Sequence, residues 1–594
     1  MEDSEEEEEK ERGLGSLNSP TTLKEELPEE YEDHWDDKHV RLPCSPKNTY
    51  VRKNKPKRPL SRWYLIQTVL TTQQIHSASD LINAIRSYQS SECKNWNFSG
   101  LKAFFSDFLT EKERKRFFNK TLPFIIKLAL KMPELFTKGI EMLIPGKEKT
   151  ISFTQNQLAC LLANAFLCTF PRRSNYQEFQ QFNFKNLYSG SFNRISESQA
   201  AKLICMLTYF QRILIQPPGK NVFFHRKVLH SPVVWRDSES LFCPLVVHSR
   251  GFIEDQLHCL QVDFANKMIG GGVLGSGCVQ EEIRFIISPE LICSLLFTAE
   301  MKDNECIIVK GSERYCNYSG YSSSFDFNGP YHDNSSIDVE NNCLNSFVVA
   351  IDALQFVYKR ENQYSRKAIK RELDKAFCGF AKSVFDKEGE ELIPIATGNW
   401  GCGVFGGFFD LKVLIQLMAA AHAGRSVKYF TFKEPGLSSA IKDIHQYLIQ
   451  HKLTVSQVYK SLLVFCKVIQ NKKIVNSEEN IEYITRFKKF VKSNTSPDLF
   501  GFIKEYFSVS NSTSTTSSDD TPASIPHSSL GVESHDTASP NSSASLNSNL
   551  NGAIEDIISQ DTSQDISQDI TSFDSVDDVP IKSNEPNGLK GKHE

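Results

Sequence analysis

No apolar run in this 594-residue chain approaches the ~20 residues that a bilayer-spanning helix needs. The N-terminus lacks a basic-then-apolar leader and instead runs acidic from Glu5 to Glu9, which is not how a secretory signal reads. No C-x-x-C pair occurs among the 15 cysteines, and Cys160, Cys168, Cys205, Cys293 and Cys466 stand singly inside apolar runs. That pattern excludes a disulfide framework and a zinc site, and predicts buried, reduced thiols of an intracellular protein. Clusters of His, Cys and Asp at metal-ligand spacing are also missing, so neither a metal nor a cofactor is expected. Basic charge is in deficit: the formal net charge is -4, which argues against a sequence-independent grip on nucleic acid. The expectation is a soluble monomer with no membrane and no sequence-specific nucleic-acid partner. What is present is apolar. Hydrophobic residues make up 40% and aromatics 11%, enough for a sizeable core.

Four segments follow from the change of texture along the chain. Residues 1–60 read as a disordered segment, acidic at first, with Lys53, Lys55, Lys57 and Arg58 forming a basic run. That run suits a nuclear-import signal or a solvated lead-in. Residues 61–221 carry Phe and Ile stripes at helical spacing (Phe104, Phe105, Phe108; Ile125, Ile126, Leu128), and 156–170 is an apolar helix closed by Pro171, so this is expected to be an all-helical accessory domain. Residues 222–490 alternate short β-rich runs with helices. Strands are expected at 260–264, 306–309, 347–351, 392–396 and 427–432, with helices at 289–299, 366–380, 410–423 (closed by Gly424) and 453–469. This is an α/β layer fold on a mainly parallel sheet, whose ligands bind at the carboxyl ends of the strands. Residues 322–345 read as a long surface loop, and 491–594 as a Ser/Thr/Asp-rich tail too polar to offset its ordering entropy.

The chemistry concentrates between Val262 and Glu282. Gly270-Gly271-Gly272-Val273-Leu274-Gly275 satisfies G-x-G-x-x-G, as does Gly401-Cys402-Gly403-Val404-Phe405-Gly406. Each follows a β-run and precedes a helix. Glycine permits the close approach by which consecutive N–H groups surround phosphate oxygens, although either loop alone also reads as a tight turn. Behind the first loop stand Glu281 and Glu282, a pair suited to acid/base work on a glycosidic bond. On extended backbone the two would point to opposite sides, one toward the scissile bond and one toward sugar hydroxyls. Asp263 and Asn266 either cap the loop or reach a ribose, and Tyr321 either packs or covers an adenine face. A nicotinamide oxidoreductase is disfavoured, because residues 265–269 separate the first loop from its strand. His422, in an Ala-rich helix, reads as core.

Together these segments resemble the poly(ADP-ribose) glycohydrolase family, whose signature is a Gly-Gly-Gly run followed by Gln-Glu-Glu, here Gly270 to Gly272 and Gln280-Glu281-Glu282. Val262 to Asn266, Tyr318 to Tyr321, Ala396 to Gly407 and Leu161 to Phe166 extend the resemblance over roughly residues 35–490. It implies a macrodomain-like mixed sheet flanked by helices, a helical accessory domain, and metal-free hydrolysis of ribose–ribose linkages, mainly from the free end. The substrate would be poly(ADP-ribose), free or on modified proteins, in nucleus and cytoplasm. Carried over by motif, Asp263, Glu281 and Glu282 are the catalytic acids, with Glu282 as acid then base and Glu281 on the ribose. Ile253, Glu254 and Tyr321 would contact the adenine, and Asn266 and Gln280 the ribose. Asn399, Trp400, Gly401, Cys402, Gly403 and Val404 would cradle the diphosphate, with Gly270, Gly271 and Gly272 as a further phosphate loop and Phe432 as a pocket wall. A non-catalytic ADP-ribose reader would keep the loops and Tyr321 without needing Glu282.

Overall fold

Runs of β-branched and aromatic residues pair into one eight-stranded mixed sheet. Its strands are β1 (Lys149–Thr154), β2 (Asn221–Val228), β3 (Leu245–His248), β4 (Leu260–Asp263), β5 (Glu305–Lys310), β6 (Phe347–Ala350), β7 (Ile395–Gly398) and β8 (Val427–Phe430), in the spatial order β1-β2-β5-β6-β4-β7-β8-β3. The β6–β4, β4–β7, β7–β8 and β8–β3 pairings are parallel, and the other three are antiparallel. The structure is a computed structural model that describes residues 27–51, 59–90, 95–172, 179–469 and 498–512. The basic run at Lys53 to Arg58 and most of the polar tail lie outside the described residues.

Period-2 alternation gives the sheet a core on each face. Ile307, Val309, Val348 and Ala350 join the core built with the N-terminal helices, while Cys306, Ile308 and Val349 join the opposite one. On the first face lie α1 (Gln155–Phe166), α2 (Glu197–Ile215) and α3 (Gln280–Ile287); on the second lie α4 (Arg366–Phe380), α5 (Phe409–Ala423), α6 (Pro435–Gln450), α7 (Val455–Ile469) and α8 (Leu499–Ser512). Local signals set several ends. Thr154 and Gln157 form a capping box at the start of α1, and Gly424 takes the left-handed conformation (φ 72°) that closes α5. Strands β4 and β7 pair only at Leu260↔Ile395 and Gln261↔Ala396, so their carboxyl ends diverge and open a crevice.

The structure corrects several expected boundaries. The accessory region is not all helical, because β1 is an edge strand of the main sheet, and the first core runs unbroken across residues 221 and 222. Residues 27–51 are not loose: Val40, Leu42 and Cys44 are buried in that core. Helix α1 ends at Phe166, since Cys168 adopts positive φ (53°) well before Pro171. Strand β7 starts at Ile395, after Pro394, which has no N–H for a ladder. Residues 289–299 split into a 3-10 turn (Pro289–Cys293) and a short helix (Ser294–Phe297). The expected 322–345 loop instead contains antiparallel strands, Asp326–Pro330 against Cys316–Ser319 and Ile337–Asp338 against Cys343–Leu344. Helix α8 begins inside the stretch read as tail, because Leu499, Phe502 and Ile503 bury one face in the second core.

One buried polar cluster stitches the helical side to the sheet. Gln155 Nε2 donates to Glu290 Oε1 (2.9 Å) and Glu313 Oε2 (3.2 Å), Tyr315 donates to Glu290 (2.9 Å), and Arg212 pairs with Glu313 (2.6 Å). Burial, aided by the neighbouring Glu313 charge, pushes the Glu290 carboxyl up to about 8. A carboxyl raised on folding favours the native state fully below its unfolded value and loses that contribution as pH rises through the folded value. Denaturant melts are therefore expected to show stability falling between about pH 5 and pH 8, with Glu290→Gln flattening that slope. An unchanged slope in the variant would place the titration elsewhere.

Candidate active site

Strand β4 delivers Asp263 to its carboxyl end, a glycine-rich turn follows, and α3 starts at Gln280. Glu281 and Glu282 therefore sit in the first turn of a helix, not on extended backbone, and both side chains line one cavity. The opposite-sides expectation fails because successive helical residues diverge by only about 100°. The cavity, of about 550 Å³, opens over the carboxyl ends of β4, β7 and β8.

Each glutamate is held by two backbone N–H donors. Glu281 accepts from Gly270 (2.6 Å) and Asn266 (2.8 Å), and Glu282 accepts from Gly272 (2.8 Å) and Val279 (2.9 Å). Gly271 N–H is turned to Met268 O at 3.2 Å. All three glycine amides are thus engaged within the chain, and none of the three glycines lines the cavity. The expected phosphate loop at Gly270, Gly271 and Gly272 is corrected: it is a carboxylate cradle. Glycine is required there by space. A Cβ on Gly271 would lie 2.4 Å from Glu282 Oε1 and 2.7 Å from Glu281 Oε2.

Asp263 differs from its expected place. It is fully buried, neither oxygen has a hydrogen-bond partner among the described residues, and it does not line the cavity. Burial raises its carboxyl well above the usual range, with Glu282 adding to the rise and Arg284 opposing it. For Glu281, burial, then Asp263 and Glu282, push the carboxyl well above the ordinary value against the pull of Asn266 and Gly270 N–H. Asp263 thus lies behind the cavity wall, where it adds to the rise of the Glu281 carboxyl.

The second glycine-rich turn is the opposite of the first. Among the described residues, the N–H groups of Gly401, Gly403, Val404 and Phe405 have no intramolecular acceptor, and all four residues line the cavity. Gly401 (φ 74°) is pressed on Ala353 and Lys412, whereas a Cβ on Gly403 would meet nothing. Trp400 is buried, donates to Ile351 O (2.9 Å), and lies beneath the Lys412 ammonium at 4.0 Å, so it supports the turn. Cys402 is buried, Val404 is 69% exposed, and Asn399 is tied back to Thr431 O (3.3 Å) and the Tyr429 hydroxyl (3.2 Å). Consecutive amides without partners make a concave anion site.

The remaining candidates surround the same cavity. Ile253 and Glu254 lie in a buried 3-10 turn, and Glu254 accepts from the Tyr318 hydroxyl. Gln280 ties α3 to β4, accepting from Phe264 N–H (2.7 Å) and donating to Val262 O (3.1 Å), while Asn266 caps Met268 N–H (3.0 Å). Tyr321 and Phe432 meet at the mouth, ring centroids 5.1 Å apart, and Phe432 holds a positive φ of 52° that a bulky residue rarely adopts. Phe252, Tyr318, Phe405, Phe409 and Phe430 also line the cavity and were not singled out from the sequence. His422 lies elsewhere, bonded to Ser238 and packed on Trp235 and Phe377. One cluster was missed: His34, Asp36 and His39 bring ligand atoms within 4.8 Å of one another, away from the cavity lining. It reads as a hydrogen-bonded surface pair, since His39 Nδ1 already sits 2.9 Å from Asp36 Oδ1.

Comparison with known proteins matches two segments of the chain to one family. Residues 109–226 match the family description "Poly (ADP-ribose) glycohydrolase (PARG), helical domain", and residues 233–439 match "Poly (ADP-ribose) glycohydrolase (PARG), Macro domain fold". Poly(ADP-ribose) glycohydrolase 1 of Arabidopsis thaliana is 32% identical over 449 residues, 62% of this chain and 81% of that protein. Probable poly(ADP-ribose) glycohydrolase 2 of the same plant is 31% identical over 441 residues, 64% and 84% of the two chains. Poly(ADP-ribose) glycohydrolase 1 of Caenorhabditis elegans is 30% identical over 354 residues, 57% of this chain and 43% of its own length. With a macro-domain sheet, a helical domain on one of its faces and that extent of identity, the chain belongs to the poly(ADP-ribose) glycohydrolase family.

Proposed function

We propose that this protein hydrolyses the ribose–ribose glycosidic bonds of poly(ADP-ribose) and releases ADP-ribose. The observation that carries the reading is the Glu281–Glu282 pair, each carboxyl clamped by two N–H groups and both opening into one cavity. The free amides of Gly401, Gly403, Val404 and Phe405 suit the diphosphate, and the Tyr321–Phe432 mouth suits the adenine. Between them the distal ribose would meet the carboxyls.

Glu282 is assigned the proton transfers. It protonates the leaving ribose oxygen as the C1–O bond breaks and positive charge grows on the sugar, then takes a proton from the water that adds to that carbon. Glu281, raised chiefly by burial with Asp263 behind it adding to the rise, binds a ribose hydroxyl. The aromatic side chains that line the cavity are assigned to a terminal unit, hence mainly exo cleavage. Incubating the purified protein with poly(ADP-ribose) and separating products by size tests the reading; ADP-ribose should accumulate while long chains shorten slowly. Chains left intact would refute it. Because the proton transfers are assigned to carboxyls, EDTA is expected to leave turnover unchanged, and strong inhibition would require a metal-assisted route instead.

A further inference from the structure

We propose that Lys202, on α2 of the helical region, is a positioning residue for this reaction, gathering the glycine-rich turn so that its backbone holds Glu282 in place. The inference rests on the assignment of Glu282 given above. Lys202 is fully buried, and its ammonium donates to three carbonyls of the turn, Val273 O and Gly275 O at 3.0 Å each and Gly277 O. All three acceptors are backbone, and none is a carboxylate. Taking an ammonium out of water costs several kcal/mol unless it is fully bonded, and here the bonds converge on one turn.

That turn needs an outside tether. Gly270, Gly271, Gly272, Gly275 and Gly277 fall within eight residues, so the free segment would have high conformational entropy. Gly272 within that segment and Val279 just beyond it supply the two N–H groups that fix Glu282. Alternate carbonyls drawn to one cation curl the backbone, Val273 and Gly275 N–H close turns onto Gly270 O and Gly272 O, and Gly272 and Val279 N–H are left to reach Glu282. Gln180 secures the far end by donating to Met268 O (2.7 Å) and Ile269 O (3.2 Å). The helical region thus reaches the catalytic carboxyls through the turn and not by touching the cavity, since neither Lys202 nor Gln180 lines it.

The arrangement also carries a pH signature. Burial lowers the Lys202 ammonium to about 8, opposed by the charges of Cys278, Glu282 and Cys205. Burial pushes the Cys278 thiol up to about 11 and Cys205 well above its usual value, so neither thiol titrates first. A neutral amine has two N–H groups for three carbonyls and no charge, so the turn should slacken on the alkaline side.

The test compares the full chain with Lys202→Met and Lys202→Arg. For Lys202→Met, kcat for ADP-ribose release should fall about 30-fold while ADP-ribose affinity, by calorimetry, stays within about threefold. Amides of residues 270–279 should exchange hydrogen faster, with protection of the sheet unchanged. The parent should lose kcat above about pH 8, and Lys202→Arg, charged throughout, should restore part of the rate without that alkaline fall. A Lys202→Met enzyme with kcat within about threefold of the parent, or one whose sheet protection falls along with the turn's, would overturn the proposal. If the parent released no ADP-ribose, the glycohydrolase reading would fail, whereas exchange in residues 270–279 would still decide the tether.

Discussion

Replacing Glu282 by Gln is expected to lower ADP-ribose release by about 10³-fold and to leave ADP-ribose binding within about threefold. The substitution keeps the side-chain volume but removes the proton that the leaving oxygen needs. It also alters the cradle. Glu282 accepts one backbone N–H on each oxygen, from Gly272 and Val279, whereas an amide offers one acceptor and turns an NH₂ toward the second donor. That mismatch should cost about 1–3 kcal/mol of stability, so thermal melting belongs beside the rate measurement. A modest loss of stability with retained binding and lost turnover is the predicted combination. Turnover near the parent's would remove Glu282 from the proton transfers and leave the hydrolysis to another group.

What the sequence disclosed and what it hid divide along a physical line. Strongly periodic elements could be read well: α4 spans the expected 366–380, and β4, β5 and β6 lie within a residue or so of their expected places, because apolar period and β-branched content are local properties. The two glycine fingerprints were equally visible but not equally interpretable. Glycine records that a backbone closely approaches something, not what that something is. At Gly401 the partner is left open, whereas at Gly270 and Gly272 it proves to be the chain's own carboxylates. The ties from Lys202 and Gln180 to this turn span 71 to 89 residues, and a lone Lys or Gln in a helical region gives no sign of such a partner. Asp263 was visible as an acid at a strand end, but its burial behind Glu281 depends on the fold of β4 against α3. Helix α8 was hidden because its apolar stretch from Leu499 to Phe507 is short and runs straight into a polar tail.

The cradle makes a second large effect predictable from a residue with no side chain. Gly271→Ala is expected to reduce kcat by about 10²-fold or more. Positive φ (47°) at that position costs an alanine only about 1–2 kcal/mol, which the fold should survive. The larger obstacle is contact. The new methyl would stand 2.4 Å from Glu282 Oε1 and 2.7 Å from Glu281 Oε2, and neither carboxyl is a free end that can swing aside, since each is held by two N–H donors. Both must shift, or the turn must open, and in either case the acid leaves its place by a few tenths of an ångström or more. Gly275→Ala is the matched control in the same turn, because its Cβ would meet only Gly272 O at an ordinary 3.6 Å. That variant should turn over within about threefold of the parent and melt with it. If both alanines were inactive, the rate would depend on the flexibility of the turn; if both were active, the contact at Gly271 would not govern it. Loss in Gly271→Ala alone would mean that it depends on where the turn holds the two carboxyls.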